Sequence, residues 1–531
     1  MPQPLDSLPG IRFLTRLPGQ LFGMNPFGGN CRPTRVPLLL QTGRSSLPVP
    51  HPWNFQRPID ILEAYFWRAD EETGSGRHNR YLDVPGFPPV FVTRDPGVIR
   101  AILTATGDRA GQFERDTLPS SGIARATGED TLLFSNGPLW RRQRKVSASP
   151  FGKTALFQVD VFCEFEDTFR STVRQRLMAL RQHLSQTGLP HLQIAVEPEI
   201  KALMLEMLVE CFFGTSIDYQ ELREVYVPAV ERVIDHIVRD TVVNRLGLSP
   251  WLLAKCSRRY ARAFRDFTTF EELTDRVLAT RSSGRGLWKK LRSEAPDAAM
   301  RSNIKVFLAG ALEATTSYAT WAISHLARNE CWQEKVFREV KTMADYTPDQ
   351  LGSARDLNAV LDETLRLTPS LYFLPRKATA PIRIETADGR EMRIPAGTHI
   401  LLDVWHANRH ADHWGEEVTG FPATEFAPDR WDRLAVQNAN SKEFLHFGFG
   451  HGPRVCPGKH LGQLEVALVV GVFVKLFRFR AVHPENEVRA GVSTKPADGT
   501  LVELELREPT AGMTTGNEWQ TILKTGPPDQ G

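Results

Sequence analysis

The sequence has no closely spaced cysteine pair. Cys31, Cys163, Cys211, Cys256, Cys331 and Cys456 are scattered along 531 residues, with no C-x-x-C among them. A disulfide framework is dense and short, and this set is neither. Around Cys456 there is no Cys/His spacing of the kind that holds zinc. No run of about 18 apolar residues exists, so a transmembrane anchor is not expected. The first 24 residues, MPQPLDSLPGIRFLTRLPGQLFGM, lack the apolar core of a signal peptide. A dominant charge of one sign is also missing. The 65 Lys and Arg against 62 Asp and Glu leave a net charge of +3, so nucleic acid is not expected as a partner. Repeats and low-complexity tracts are absent. The expectation is a cytoplasmic protein. Ile11, Phe13, Leu14 and Leu17, interleaved with Arg12 and Arg16, either pack against the body of the fold or associate loosely with a membrane surface.

What is present is the composition of a globular protein, 41% hydrophobic and 24% charged. Residues 1–50 read as a Pro- and Gly-rich lead-in, 51–510 as one body and 511–531 as a loose tail. PIDILEAYFWRAD (58–70) reads as helical. In DPGVIRAILTA, Asp95 is placed to cap a helix whose first turn takes Pro96. Residues 155–345 are mostly long helical patterns. IRIETADGREMRIPAGTHILLDVW (382–405) carries strand runs joined by a turn at Asp388-Gly389. The fold class expected is mainly α with a small β region. The longest helical pattern runs from about 298 to 329. Its middle, Leu308-Ala309-Gly310-Ala311, is built of small residues, which let a bulky group approach the backbone or another helix pack closely. Glu313, Ala314, Thr315 and Thr316 follow, placing a carboxylate and hydroxyls beside that gap.

Cys456 lies in FGHGPRVCPG (449–458), just before a pattern with Leu461, Leu464, Leu468 and Val472 at helical spacing. A helix N-terminus lowers a thiol pKa and favours thiolate. Glycines let backbone N–H groups turn towards the sulfur, and such donors tune a thiolate that binds metal. A thiolate held open-faced towards a ligand is the setting these residues describe.

This stretch resembles the haem-binding loop of the cytochrome P450 family, F-x-x-G-x-R-x-C-x-G, with Phe449, Gly452, Arg454, Cys456 and Gly458 in the fixed positions. Further segments follow the family's order. Glu363-Thr-Leu-Arg366 matches E-x-x-R. Phe426-Ala-Pro-Asp-Arg430-Trp431 resembles the segment whose arginine joins that pair. Trp140-Arg-Arg-Gln-Arg144 matches W-x-x-x-R, and the long helix precedes E-x-x-R. The resemblance implies a P450-like fold with haem b between the long central helix and the Cys loop. It implies Cys456 as the axial ligand of the iron, a thiolate that pushes electron density towards O–O cleavage. Trp140, Arg144, Arg376 and Arg454 would meet the haem propionates. Phe449, Gly450 and Gly458 would complete the cofactor loop, and Glu363, Arg366 and Arg430 would form a structural network. Ala309, Gly310, Leu371 and Phe373 would line a substrate pocket. Phe113, Leu132, Leu133 and Phe134, in the stretch 108–135, would add to it, and the substrate would be small and apolar.

One site departs from the family pattern. The family usually reads A/G-G-x-D/E-T-T in the long helix. Aligned on Glu313 and Trp321, this chain has Ala314 where the first threonine stands and Thr315 one residue later. One residue is about 100° round a helix, so Thr315 reaches the iron only if the helix is locally distorted. Glu313 and Thr315 are the expected catalytic side chains. The function implied is a monooxygenase that inserts one oxygen atom from O2 into its substrate. Its electrons would come from a separate ferredoxin- or flavodoxin-type donor with its reductase. Arg141, Arg142, Lys145, Lys459 and His460 are candidates for the donor's docking patch. A peroxide-using or hydroperoxide-rearranging enzyme without a reductase is the alternative, supported by Ala314. A haem-based gas sensor is a third reading.

Overall fold

The computed structural model describes residues 24–36, 39–42, 45–48, 58–67, 78–83, 88–106, 112–115, 126–128, 130–147, 151, 159–243, 249–283, 297–343, 346–437 and 446–507. The N-terminal segment with Ile11 to Leu17 and the tail 511–531 lie outside these residues.

The helices that position the site begin with α1, Pro96–Ala105. Its start is the expected one: the Asp95 carboxylate accepts the N–H groups of Gly97 and Val98, which meets donors no intrahelical carbonyl can reach. Helix α2 is Gly137–Ser147 and carries Trp140 and Arg144. Long helices at Val159–Thr187 and Arg258–Ala279 follow. Helix α3, Asp297–Arg328, is the long helix anticipated from the sequence. Helix α4 is Arg355–Leu367, α5 is Asp429–Gln437 and α6 is Lys459–Leu476. The segment 58–70 is helical over Pro58–Leu62 and continues as a π turn over Glu63–Trp67.

The strands are short. Among them, in chain order, are β1 Gly28–Gly29, β2 Thr34–Arg35, β3 Asn79–Leu82, β4 Val90–Thr93, β5 Phe113–Arg115, β6 Phe373–Ala378, β7 Ile382–Glu385, β8 Glu391–Ile394, β9 His399–Asp403, β10 Val488–Ala490 and β11 Thr494–Pro496. Six form a mixed sheet in the order β2-β3-β4-β9-β6-β5. Strand β9 runs parallel to β4 and antiparallel to β6, pairing Ile400 with both Phe91 and Arg376. The anticipated hairpin is present: Ile382 pairs with Ile394 and Glu385 with Glu391, and Gly389 takes φ +77° in the turn. Residues 24–36, read from sequence as lead-in, are part of the folded body. Strand β1 pairs with β8 and β2 with β3, while Phe27 and Cys31 are buried in the sheet core.

Two cores result. Helices α3 and α6 share the larger, where Leu308, Leu312, Leu461, Leu468 and Val472 are buried together. The smaller lies between α1 and the sheet, through Ile99, Ile102, Leu103, Leu374 and Ile400. Among the described residues no helix is long and apolar enough to cross a membrane, and the cysteines whose state is described are free.

Candidate active site

The Cys456 loop is a tight turn followed by a helix. Gly450 and Gly452 sit at φ +70° and +71°, which L-residues rarely adopt. A side chain at Gly452 would put its Cβ 2.5 Å from the Leu103 carbonyl oxygen, so the loop lies directly on the end of α1. The Cys456 N–H donates to Phe449 O at 2.9 Å and closes the turn. Gly458 precedes α6. A Cβ there would be 3.9 Å from Cys456 Sγ, and its backbone N–H stabilises the thiolate. Phe449 packs edge-on against Tyr318 of α3, ring centroids 6.3 Å apart. The sequence reading expected the helix end to lower the Cys456 pKa. Burial instead pushes the thiol up, against the opposing effects of the Gly458 N–H, Arg144 and Lys459. The side chain is nevertheless accessible, walled by protein but open to a ligand. A bound metal would tip it to thiolate.

Beside this loop several arginines converge with few acids to answer them. Arg376 projects from β6 on the same buried face as Leu374 and Ala378. Its Nε donates to Thr106 Oγ1 at 3.1 Å. Burial, then Arg115 and Arg454, hold its pKa well below the usual guanidinium range. Arg454 stacks over the Trp140 ring, 4.4 Å to the centroid, and donates to Ser135 O and Asn136 Oδ1 at 2.7 and 2.8 Å. Burial, then Arg115, push its pKa down to about 9, with Glu114 opposing and Arg144 adding to the fall. Its Nε is buried and has no hydrogen-bond partner among the described residues. Arg144, also lowered by burial, has Cys456 as its favourable neighbour. Like charges packed this way are costly unless an anion joins them. Two carboxylates on a flat apolar ring, presented beside an accessible thiol, answer both features.

Across from the loop, α3 presents Gly310, where an added Cβ would meet nothing within 4 Å. Ala314, one turn on, shares that face by helical spacing. Ala309 and Phe373 are half-buried, and Leu371 is 39% exposed although large and apolar. Of the other residues expected at the pocket, Phe113 is buried in the sheet core and Leu132 in the helical core. Thr315 faces elsewhere. Its hydroxyl donates to Ala311 O at 2.7 Å, and its methyl lies 3.8 Å from where a Cβ of Gly462 on α6 would be. The 100° step along the helix carries it off the Gly310 face, and α3 shows no π turn there. Glu313 is buried and fully engaged. Ser493 Oγ donates to Oε2 at 2.7 Å and Lys495 Nζ to Oε1 at 2.8 Å. Burial raises its pKa, but Lys495 and these hydrogen bonds outweigh that and leave it below the usual carboxylate range.

Under the loop, Glu363, Arg366 and Arg430 meet at zero exposure. Arg366 donates to both Glu363 oxygens at 2.9 and 2.8 Å, and Arg430 Nε donates to Oε1 at 3.3 Å. The remaining donors go to carbonyls and one hydroxyl: Arg366 Nη1 to Asn408 and Ala423, both at 2.7 Å, and Arg430 Nη1 to the Trp414 carbonyl at 2.6 Å and to Thr419 Oγ1. A buried ion network is tolerated only when its polar atoms are satisfied in this way.

The fold and site define a haem-thiolate enzyme: a mostly helical body, a thiol at a helix start, and guanidinium groups gathered beside it. The cytochrome P450 family model matches residues 84–501, and the chain belongs to that family. It is therefore an oxidoreductase of the monooxygenase kind that uses haem b held through a cysteine thiolate and takes electrons from partner proteins. Its relatives include cytochrome P450 734A6 of Oryza sativa subsp. japonica, 24% identical with 84% of this chain and 82% of that protein covered. Cytokinin hydroxylase of Arabidopsis thaliana is 24% identical over 75% of each chain. Cytochrome P450 CYP749A22 of Panax ginseng is 30% identical over 38% of this chain and 37% of its own.

Sequence reasoning missed Arg115, Asn136, Ser493 and Lys495. Asn136 left a weak signal, standing just before the Gly137 that opens α2. The others left none, because only the fold brings them to their partners.

Proposed function

We propose that this chain inserts one oxygen atom from dioxygen into a small apolar substrate, with electrons from a ferredoxin- or flavodoxin-type donor and its reductase. The observation that carries the reading is the accessible Cys456 thiol beside the cluster of Arg376, Arg454 and Arg144. Haem b, when bound, supplies the iron at which dioxygen is reduced. Cys456 holds that iron as thiolate, with the Gly458 N–H moderating its charge. Arg376, Arg454, Arg144 and Trp140 hold the propionates, where guanidinium–carboxylate pairs are charge-assisted and directional. Phe449 and Gly450 shape the loop around the sulfur. Ala309, Gly310, Leu371 and Phe373 leave room for the substrate and exclude water from it. Glu313 is the proton-exchanging group, poised against Ser493 Oγ and Lys495 Nζ. Thr315 contributes its hydroxyl only if it releases Ala311 O. The N-terminal segment with Ile11 and Phe13 suits a loose contact with a membrane surface.

The test is the reduced carbon monoxide spectrum followed by reductase-driven turnover. Cys456→Ser is expected to remove the thiolate signature and all turnover. A variant that keeps the signature sinks the ligand assignment.

Ala314 supports a second reading, in which peroxide or an organic hydroperoxide replaces dioxygen and the donor. That reading predicts turnover with peroxide at least as fast as with a reductase pair. The first predicts the reverse.

A further inference from the structure

Outside the Cys456 loop and its arginines, three histidines from two distant parts of the chain converge. His78 stands just before β3. His410 caps the turn Ala411–Trp414, which follows β9, and His413 lies within it. One ring nitrogen from each lies within 4.8 Å of the other two. The rings of His78 and His410 meet edge-on at 4.4 Å, and those of His78 and His413 lie 5.4 Å apart. Asp412 closes the group, with Oδ2 at 3.2 Å from His78 Nε2. Its backbone N–H donates to His410 Nδ1 at 3.2 Å.

Two features distinguish this from an ordinary cluster of surface rings. His78 Nδ1 and His413 Nε2 are buried and have no hydrogen-bond partner among the described residues. A buried polar atom without a partner is costly and calls for a cause. The cluster also faces two carboxylates, Asp412 and Asp95, against one guanidinium, Arg94. Its surroundings are thus net negative, as a cation requires.

We propose that His78, His410 and His413, with Asp412 as the carboxylate donor, bind a divalent transition metal of the zinc class. Three imidazoles and a carboxylate are a donor set for tetrahedral zinc, and imidazole suits copper and nickel as well. At about 2.1 Å per bond a tetrahedral ion needs ligand atoms roughly 3.4 Å apart. The rings therefore close by about 1.4 Å at most, within the reach of side-chain rotation. Ligation through His410 Nδ1 would give up the bond from the Asp412 N–H, whereas Nε2 would keep it. Asp412 is 41% exposed, so the ion enters from solvent.

The ion sits at a meaningful place. Asn408 and Trp414 bracket the two turn histidines, and their carbonyls receive Arg366 and Arg430. A metal here ties that turn to the start of β3 and so braces the network beneath the cysteine loop.

The experiment titrates zinc into the full-length, haem-loaded protein after chelator treatment, following bound metal by competition with a chromophoric chelator. One equivalent is expected to bind, and the unfolding temperature to rise with it. His78→Gln and His413→Gln should each weaken binding at least tenfold while leaving the haem spectrum unchanged. Zinc K-edge X-ray absorption of the wild-type complex needs no variant and should show imidazole scattering from three ligands. Absence of a bound equivalent, wild-type affinity in both variants, or a sulfur- or all-oxygen-ligated zinc overturns the proposal.

Discussion

Glu465 shows how much a single buried side chain can govern. It lies on α6 among Val466, Leu468 and Val469, almost without exposure. Burial raises its carboxyl pKa to about 8, against about 4.3 in an unfolded chain. The folded state therefore binds a proton that the unfolded state releases across this interval. The sign follows: stability is highest below the unfolded value and falls as pH rises to about 8. Glu465→Gln keeps the shape and removes the titration. In urea unfolding the variant should exceed the wild type by on the order of 4 kcal/mol at pH 8, with the gap shrinking towards pH 5. A gap independent of pH refutes this. The same residue marks the limit of reading a sequence. A glutamate inside LGQLEVALVV is visible as an anomaly, but only packing shows that all sides of α6 are covered. The Glu363–Arg366 pair was legible because the two residues stand three apart on one helix. Lys495 was not, since a lysine in a C-terminal strand carries no mark of the carboxylate it will meet.

Two glycines separate the roles of the loop and the helix. Gly452 is locked by its positive φ and by the Leu103 carbonyl, whereas Gly310 in α3 faces open space. Gly452→Ala should cost on the order of 2–4 kcal/mol and lower haem incorporation. Gly310→Ala should raise stability by about 1 kcal/mol, the helix propensity difference, while weakening binding of bulky substrates. Thermal unfolding and haem content checked on both variants distinguish the two. Equal effects would mean that the gap in α3 is structural. The helices were legible as elements from their periodicity and caps, as α1 shows through Asp95. The sheet was less so: β1 and β2 are two residues each, too short to alternate, and their pairing with β8 and β3 is fixed by contacts with strands distant in sequence.

At the scale of the molecule, exposed Arg141, Arg142 and Lys145 on α2 and half-buried Lys459 and His460 on α6 are the proposed docking patch for the electron donor. Steering by such a patch acts on association and is screened by salt. Arg141→Glu, Arg142→Glu and Lys145→Glu combined should slow reduction by an acidic ferredoxin about tenfold or more at low ionic strength. The rates should converge at high salt, and haem content should not change. Stopped-flow reduction under carbon monoxide measures this, and an unchanged rate at low salt removes the patch. The pairing of Glu313 with Ser493 and Lys495 spans 180 and 182 residues. It has a consequence for the making of the protein. On the ribosome, the segment that forms α3 emerges long before the strand that neutralises it. Until about residue 495 has cleared the exit tunnel, a carboxylate destined for the interior lacks its hydrogen-bonded Lys495 partner and has only the charge of Lys201 to answer it. The central helix therefore gains the hydrogen-bond partners of Glu313 only when nearly the whole chain has been translated, and a nascent chain stopped before β11 would leave that carboxylate without Ser493 and Lys495.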